Sequence, residues 1–253
     1  MPATGRYHGG VRIAIVSDVH SNLDALSAVL RDAERHRELD GVWCLGDTVG
    51  YGAQPADVID ALRARSLTSV AGNHDLAACG RMGVEEFNPI AAEAALWSGE
   101  QLSHDARTFL AALPLTLVAG DFSLVHGSLR APAWEYLLSE EQAEAQFSLQ
   151  TTRYSLVGHS HLQFVFEERE GRAELHPAYD SQVVALADTR LILNPGSVGQ
   201  PRDGDPRAAY LLYDDGEATM MYRRVEYDIR AAQRKIESAG LPPLLAQRLA
   251  IGR

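Results

Sequence analysis

The first part of this chain alternates short apolar runs with amphipathic helical patterns, and this alternation restricts the choice of fold more than any other feature. Residues 11–17, 41–45 and 67–71 are apolar runs of strand length. Between them, apolar residues recur at helical spacing over residues 23–33 and 58–62. Such a succession is typical of a sheet with helices packed against it. In sheets of this kind, ligands bind at the carboxyl ends of the strands.

From residue 116 onward, the pattern changes to short strands joined by tight turns. Predicted strands cover residues 117–119, 122–125, 154–157, 164–168, 183–187, 190–193, 209–213 and 220–225. They predict a second, largely antiparallel sheet. Residues 76–113, between the two parts, are rich in Ala and carry no strand signal, so we expect one or two helices there that form a partial cap over the strand ends. Since no linker or repeat interrupts the chain, residues 1–253 are predicted to be a single domain.

The charge balance disfavours one class of partner. The chain has 34 acidic and 23 basic residues, which give a formal net charge of −11. Proteins that bind long DNA or RNA gain affinity from Lys and Arg side chains that replace counterions around the phosphates. We therefore expect no long nucleic acid among the partners.

Cysteine usage and hydropathy predict a cytoplasmic protein. Two cysteines, Cys44 and Cys79, cannot build a disulfide framework, and Cys44 lies in an apolar run where we expect a buried thiol. Residues 1–10 have no apolar segment of the signal-peptide type, and no stretch approaches the roughly 18 apolar residues of a membrane span. We expect no membrane partner, and the oligomeric state stays open.

Polar strings follow the predicted strands. They are Asp18-Val19-His20, Gly46-Asp47, Gly72-Asn73-His74-Asp75, His126-Gly127 and Gly158-His159-Ser160-His161. Residues two apart in an extended segment point the same way, so Asp18 and His20 can reach one point beyond a strand end, and His159 and His161 repeat this spacing. A glycine before or after several of these residues would let the backbone approach a bound ion closely.

The number of ligands predicts two metal ions. The seven candidates are Asp18, His20, Asp47, Asn73, His126, His159 and His161. Seven ligands exceed what one ion takes from a protein while it keeps a position open for water, whereas two ions can share a bridging carboxylate, for which we choose Asp47. Imidazole and oxygen ligands without cysteine favour Mn²⁺, Fe²⁺, Zn²⁺, Co²⁺ or Ni²⁺ over Cu⁺ or Ca²⁺.

Such a centre is suited to phosphate chemistry. Two divalent ions outweigh the charges of Asp18 and Asp47, so a small anionic phosphate ester is attracted to this pocket of an acidic protein. A water between ions about 3.5–4 Å apart becomes a nucleophile at neutral pH, and the ions neutralise the phosphoryl oxygens. His74 follows Asn73, and since neighbouring side chains diverge, we expect it to face the substrate and protonate the leaving oxygen or stabilise its charge. Arg202 could bind a phosphate oxygen.

In this order, the five strings resemble the signature of the calcineurin-like metallophosphoesterases, over about residues 11–200. The resemblance implies that one metal is held by Asp18, His20 and His161, the other by Asn73, His126 and His159, and both by Asp47. It also implies an α/β (α+β) fold of four layers, in which a mixed two-sheet β-sandwich is flanked by helices.

The chain departs from one branch of that family. Its protein Ser/Thr phosphatases extend the second motif as G-D-x-V-D-R-G, whereas residues 46–52 read Gly-Asp-Thr-Val-Gly-Tyr-Gly. The aspartate that orients the catalytic histidine there is missing, so Asp75 becomes a candidate to hold His74. The chain is more similar to the small bacterial phosphodiesterases of the family, which share the string Asn-Pro-Gly-Ser at residues 194–197. A structural turn and a role behind the metal site both fit that string.

We therefore expect a phosphoesterase that depends on two metal ions and hydrolyses small phosphate esters, with phosphodiesters or nucleotides preferred over phosphoproteins. Tyr51 and residues 134–138 could stack on a nucleobase. Three alternatives stay open: a phosphomonoesterase or protein phosphatase, a metal-binding interaction scaffold such as the retromer-type subunit of the family, and a nuclease that acts on long DNA. The net acidity disfavours the nuclease, and the retained His74 disfavours the scaffold.

Overall fold

The structure is a computed structural model that describes residues 10–35 and 37–253. The expectation about residues 1–10 thus falls, apart from Gly10, outside the described residues. Among the helices of the described part, none has both the length and the apolar character needed to cross a bilayer.

The described residues form twelve strands, eight α-helices and one 3₁₀ turn. In chain order they are β1 (Arg12–Val16), α1 (Leu23–Ala33), β2 (Gly41–Cys44), α2 (Pro55–Arg63), β3 (Leu67–Ser69), α3 (Asn73–Ala78), α4 (Pro89–Gln101), α5 (His104–Ala112), β4 (Thr116–Ala119), β5 (Phe122–Val125), α6 (Glu140–Leu149), β6 (Tyr154–Leu156), β7 (Gln163–Arg169), β8 (Arg172–Pro177), β9 (Val183–Ala185), β10 (Leu191–Pro195), β11 (Ala208–Asp214), β12 (Thr219–Val225), α7 (Ile229–Ser238), α8 (Pro243–Gln247) and the 3₁₀ turn Arg248–Ala250.

The first sheet has six strands in the order β3-β2-β1-β11-β12-β9. β1 runs parallel to β2 and antiparallel to β11, with Ile13 opposite Tyr213. Our assignment of all late strands to a second sheet is therefore wrong for β9, β11 and β12. The reason is that β1 is buried at nearly every position and needs a hydrogen-bonded neighbour on both edges, which β11 supplies.

The second sheet also has six strands, in the order β4-β5-β6-β10-β7-β8. β6 lies parallel to both β5 and β10, while the remaining pairs are antiparallel, so this sheet is mixed rather than largely antiparallel. β8 was not predicted from the sequence. It is an edge strand of which only Ala173 is buried, so its residues show no apolar alternation.

The two sheets pack face to face, and helices cover their outer sides. Along β1, Ile13 and Ile15 face the second sheet, while Ala14 and Val16 face α1 and α2. On the far side, Phe147 of α6 packs against the second sheet. The arrangement is a mixed two-sheet β-sandwich flanked by helices in four layers, as the resemblance implied. Cys44 is fully buried, as expected.

Three helices, α3, α4 and α5, occupy the region where the sequence predicted one or two. The additional break has a local cause, since α4 and α5 each begin at their own capping residue. The Asn88 side chain accepts a hydrogen bond from the N–H of Ala91, and the Ser103 hydroxyl accepts one from Ala106. The loop that leads into α4 lies beside the functional site described next.

Candidate metal centre

The structure brings all seven predicted ligand residues to one end of the sandwich, beyond the carboxyl ends of five strands. β1 is followed by Asp18 and His20, β2 by Asp47, β3 by Asn73, β5 by His126, and β6 by His159 and His161. None of these residues is more than 4% exposed. Parallel alignment of β1, β2 and β3, and of β5 and β6, places these ends side by side.

Asp18, His20 and His161 form a first cluster. The Oδ1 atom of Asp18 lies 3.1 Å from Nε2 of His161 and 3.8 Å from Nε2 of His20. Its other oxygen, Oδ2, accepts hydrogen bonds from the Ser17 hydroxyl at 2.6 Å and from the main-chain N–H of His159 at 3.1 Å. One carboxylate oxygen is thereby fixed by the protein, and the other points at two imidazoles.

Asp47, His126 and His159 form a second cluster, and Asp47 joins it to the first. The Oδ2 atom of Asp47 lies 3.4 Å from Nε2 of His126 and 3.7 Å from Nε2 of His20. Its Oδ1 atom accepts the main-chain N–H of His74 at 2.9 Å. The Asp47 carboxylate therefore stands between the clusters, in the position expected of a bridging ligand.

The imidazoles are oriented by the main chain. Each donates one ring N–H to a carbonyl oxygen: His20 to Val49, His126 to Leu45, His161 to Gln200 and His159 to Trp134. Because a carbonyl only accepts, the second nitrogen of each neutral ring is a lone pair. Two such nitrogens face each other at 3.2 Å between His20 and His161. His126 and His159 face each other in the same way at 3.1 Å. Opposed lone pairs at these distances need a proton or a metal cation between them.

Two buried oxygens of the predicted ligands have no hydrogen-bond partner among the described residues. One is Oδ1 of Asn73 and the other is Oδ1 of Asp18. A buried acceptor left unpaired costs about 1–3 kcal/mol. Together with the opposed imidazole nitrogens and the absence of sulfur from the set, these oxygens are a donor set that fits divalent cations.

The pKa values of these residues also indicate that the centre favours a positive charge. Burial lowers the pKa of His126, but the Asp47 carboxylate outweighs it and raises that pKa to about 9. Burial opposes ionisation of Asp47, yet His126 and His74 hold its pKa well below the usual range. Burial lowers the pKa of His159 to about 3, helped by the charge at His126. Asp47 is thus kept ionised and His159 neutral, as metal ligands must be, whereas His126 would give up a proton when an ion binds.

The backbone at the ligand residues is strained. Five of them have left-handed φ angles: Asp18 (52°), His20 (49°), Asp47 (51°), His159 (64°) and His161 (60°). Such φ angles cost of order 1–3 kcal/mol each and concentrate at functional sites. Our extended-strand argument for Asp18 and His20 is therefore wrong in its reason, because β1 ends at Val16. Left-handed turns make those two side chains converge, and they send His159 and His161 into different clusters.

Glycines beside the ligands serve the packing of strand ends. A Cβ on Gly72 would lie 2.1 Å from Oδ1 of Asp47, and one on Gly46 would lie 2.5 Å from the nitrogen of Gly72. The two strand ends touch at these glycines, so the expected close approach is between the backbone and the Asp47 loop rather than between the backbone and an ion.

The string at residues 194–197 holds two of the ligand loops. The Asn194 amide donates to the carbonyl of Gly158 at 2.8 Å, and the Ser197 hydroxyl donates to the carbonyl of Asp18, also at 2.8 Å. The same string turns at Gly196, whose φ is 77° and whose N–H donates to Asn194. Both interpretations of this string therefore apply, since the turn positions the groups that brace the centre.

His74 lies beside the centre and is buried. Its ring Nδ1 has no hydrogen-bond partner among the described residues. Gly50 stands where the protein phosphatases carry their aspartate. A Cβ on Gly50 would lie only 2.3 Å from that nitrogen, so there is no room for a side chain at this position. Asp75 does not hold this ring, because its two oxygens accept the main-chain N–H groups of Val49 and Gly72. Burial lowers the pKa of His74 to about 4.

A cavity of about 190 Å³ opens beside the centre and exposes His74 to it. Aromatic side chains line much of its wall: Tyr51, Phe87, Trp134 and Tyr136. Tyr136 stacks on His159 at 4.0 Å between ring centroids. Arg202 lines the same cavity and donates to the Gln200 side chain at 2.9 Å. Phe87 was missed by the sequence analysis because it lies in an irregular segment, the loop before α4, that carries no periodic signal.

Comparison with known proteins agrees with this geometry. The calcineurin-like phosphoesterase superfamily domain matches residues 11–216. The chain belongs to that superfamily. Phosphoesterases of this superfamily are metal-dependent hydrolases, and the chain has clustered histidines and aspartates that could bind metals.

Two related proteins match this chain along nearly its whole length. An uncharacterized protein of Methanocaldococcus jannaschii is 39% identical over 246 residues, which are 95% of this chain and 98% of the relative. The crystal structure of a metallophosphoesterase from Sphaerobacter thermophilus is 42% identical, with a TM-score of 0.88 over 96% of this chain and 100% of the other. A shorter match of 64 residues, 24% of this chain and 23% of the relative, is 36% identical to a symmetrical bis(5'-nucleosyl)-tetraphosphatase of Hamiltonella defensa.

Proposed function

We propose that this superfamily member hydrolyses small phosphate esters with the help of two divalent metal ions, and that phosphodiesters and nucleotides are its preferred substrates. The observation that carries the proposal is a pair of clusters with opposed imidazole nitrogens in each, between which the Asp47 carboxylate stands. Two ions, one at each facing pair, would satisfy both pairs of nitrogens and also the unpaired oxygens of Asp18 and Asn73.

The proposed ligand sets are Asp18, His20 and His161 for one ion, Asn73, His126 and His159 for the other, and Asp47 for both. Mn²⁺, Fe²⁺, Zn²⁺, Co²⁺ and Ni²⁺ all suit imidazole and carboxylate ligands, so the set does not choose among them. When bound, such ions supply a nucleophilic water at neutral pH and neutralise charge on the phosphoryl group.

His74 is the proposed catalytic residue of the protein itself. Its main-chain N–H fixes Oδ1 of Asp47 at 2.9 Å, which ties the position of the ring to the bridging carboxylate. The ring touches His20, Tyr51 and Phe87 at centroid distances of 4.5 to 5.0 Å and lines the cavity. From there it can donate a hydrogen bond to the leaving oxygen and stabilise the charge that develops on it.

Three observations support diesters and nucleotides over phosphoproteins. The position where the family's protein phosphatases carry aspartate is Gly50, so His74 lacks that orienting partner. The cavity walls are aromatic, which suits the planar group of a nucleoside or aryl ester. The symmetrical tetraphosphatase matched over 64 residues is named for a nucleotide substrate.

Hydrolysis of two chromogenic esters tests the proposal. Purified protein loaded with Mn²⁺ should cleave bis-p-nitrophenyl phosphate faster than p-nitrophenyl phosphate. Faster cleavage of the monoester would replace the diester preference with a phosphomonoesterase. No turnover of either ester with any of the five metals would remove the hydrolase proposal and leave a metal-binding scaffold.

We further propose that the protein acts in the cytoplasm as a single domain on small substrates, without long nucleic acid or membrane as a partner. The net charge of −11 and the two free cysteines, of which Cys44 is buried, support this setting. A gel-shift assay with long DNA at low salt should show no retention, and retention would favour the nuclease alternative.

A further inference from the structure

Two arginines lie against one aromatic side chain beside the cavity. The guanidinium carbons of Arg202 and Arg248 are 5.8 and 5.9 Å from the centroid of the Tyr51 ring. That ring is itself 4.6 Å from the ring of His20, a residue of the metal centre. Arg202 lines the cavity beside the metal centre, and Arg248 lies on the Tyr51 ring that lines the same cavity.

Neither guanidinium is neutralised by an acidic side chain. Among residues 10–35 and 37–253, no aspartate or glutamate oxygen lies within 4.0 Å of either one. Arg202 donates to the neutral Gln200 side chain, whereas Nε of Arg248 donates to an oxygen of the terminal carboxylate at Arg253. By contrast, Arg207 pairs with Asp205 at 2.7 Å.

The two guanidinium groups leave a net positive charge at this place, because one terminal carboxylate balances only one of them. Both arginines are partly buried. Burial lowers the pKa of Arg248 below its ordinary value, and the neighbouring charge of Arg202 lowers it further. Glu86 also lines the cavity, but it is exposed, so water screens its charge.

Packing fixes the position of Arg248. It begins the 3₁₀ turn that follows α8, and its neighbour Leu249 and Leu245 of α8 are buried in one cluster with Tyr51. The guanidinium is thus delivered by a packed segment rather than by a free tail. Arg248 also lies beyond residues 11–216, the part of the chain that the family shares.

We propose that Arg202 and Arg248 form a subsite for a second, non-reacting phosphate of the substrate. The inference rests on the proposed function and narrows it to small esters or anhydrides with at least two phosphates. Guanidinium groups bind phosphate oxygens through paired N–H donors, which gives both affinity and orientation. The aromatic wall of the cavity then receives the organic part of the same molecule. Nucleoside diphosphates and nucleoside bisphosphates share this chemistry and differ in where the second phosphate stands.

Calorimetric binding of three nucleotides tests the subsite. The Mn²⁺-loaded protein is titrated with AMP, which has one phosphate, with ADP and with adenosine 3',5'-bisphosphate, and chromatography checks that the nucleotides stay intact. Arg248→Ala should weaken binding of a two-phosphate nucleotide by about tenfold, the value of one charged hydrogen bond, and that of AMP by about twofold or less. Whichever of ADP and the bisphosphate loses more affinity identifies the second phosphate that the subsite takes.

Two further variants make the result specific. Arg248→Lys keeps the charge without the paired donors and should lose less affinity than Arg248→Ala, which also covers the case in which the alanine variant folds poorly. Arg172→Ala removes one charge from an exposed strand position and should bind all three nucleotides like the unchanged protein.

Equal losses for AMP and the two-phosphate nucleotides, or no loss at all, would overturn the subsite. Binding is measured without turnover, so this failure is distinct from failure of the proposed function. A protein that cleaves diesters but ignores Arg248 contradicts the subsite alone. A protein that cleaves no ester but still loses affinity selectively supports the subsite and contradicts the hydrolase.

Discussion

The two ends of the sandwich differ in whether the polar groups around their cavities have hydrogen-bond partners. At the amino ends of the strands, Trp43, Phe122, Tyr154 and Tyr213 line a groove of about 710 Å³. The cavity beside the metal centre measures about 190 Å³. Two polar groups of the larger groove are paired, since the Tyr154 hydroxyl donates to the carbonyl of Ala187 and the Tyr213 hydroxyl donates to Asp215. The smaller cavity adjoins buried oxygens without partners and opposed imidazole nitrogens. Unpaired polar groups of buried residues, rather than cavity volume, distinguish the end with the candidate metal centre from the end with the larger groove.

Loss of the carboxylate that is proposed to bind both ions should have the largest effect on activity. Asp47→Ala removes the ligand proposed to touch both ions, so we expect kcat to fall by about 10³-fold or more, roughly 4 kcal/mol. Elemental analysis should show bound metal falling from two ions to one or fewer per chain. Asp60→Ala, on the exposed face of α2, is the matched control and should change kcat by less than about twofold. Retention of two ions by Asp47→Ala would show that the carboxylate is not shared.

Removal of metal should destabilise one end only. Ions at a hundred or more times their dissociation constant stabilise the fold by about 3 kcal/mol, so dialysis against a chelator should lower Tm and added Mn²⁺ should restore it. Hydrogen exchange should quicken in the loops after β1, β2 and β6, while the hairpin of β4 and β5 stays protected. A uniform loss of protection from hydrogen exchange would mean that the ions stabilise the whole sandwich. The two ends would then not differ in their dependence on metal.

Truncation of His74, the proposed catalytic histidine, should lower the rate of hydrolysis without changing the metal content. His74→Ala removes the proposed hydrogen-bond donor to the leaving oxygen, so kcat should fall by about 10²-fold. Two ions should remain bound, because the ring is not among the proposed ligands. His104→Ala, at an exposed position that begins α5, is the control with unchanged rate. Metal loss in His74→Ala would show that His74 is a ligand.

The smallest effect on turnover is expected from a substitution at the amino ends of the strands. Tyr213→Phe deletes one hydroxyl that donates to Asp215 at 2.8 Å, so the free energy of unfolding should drop by about 1 kcal/mol. Turnover of bis-p-nitrophenyl phosphate should change by less than about twofold. A rate loss of tenfold or more would connect the large groove to the chemistry and reverse the comparison.

The sequence predicted the residues of the centre better than the geometry that unites them. Asp18, His20 and the other ligands are visible because each follows an apolar run at a fixed spacing. Their left-handed φ angles are not visible, since any residue can adopt such an angle when the surrounding structure compensates for the strain. The partner of His74 was misassigned for a related reason, because Asp75 hydrogen-bonds to main-chain groups that the sequence does not place.

The assignment of strands to sheets shows the same limit. The short apolar runs of β11 and β12 were recognised as strands, but a run does not say which sheet it joins. That choice depends on β1, which needs a second hydrogen-bonded edge. Arg248 was overlooked because its relation to Tyr51 is a contact between residues distant in sequence, made through the packing of Leu245 and Leu249.

Anomalous diffraction from crystals grown with Mn²⁺ tests the central claim most directly, namely that two ions share Asp47. The account predicts two manganese peaks about 3.5–4 Å apart. One peak should lie among Asp18, His20 and His161, the other among Asn73, His126 and His159, with Asp47 bound to both. A single peak, or two peaks of which only one contacts Asp47, would contradict it.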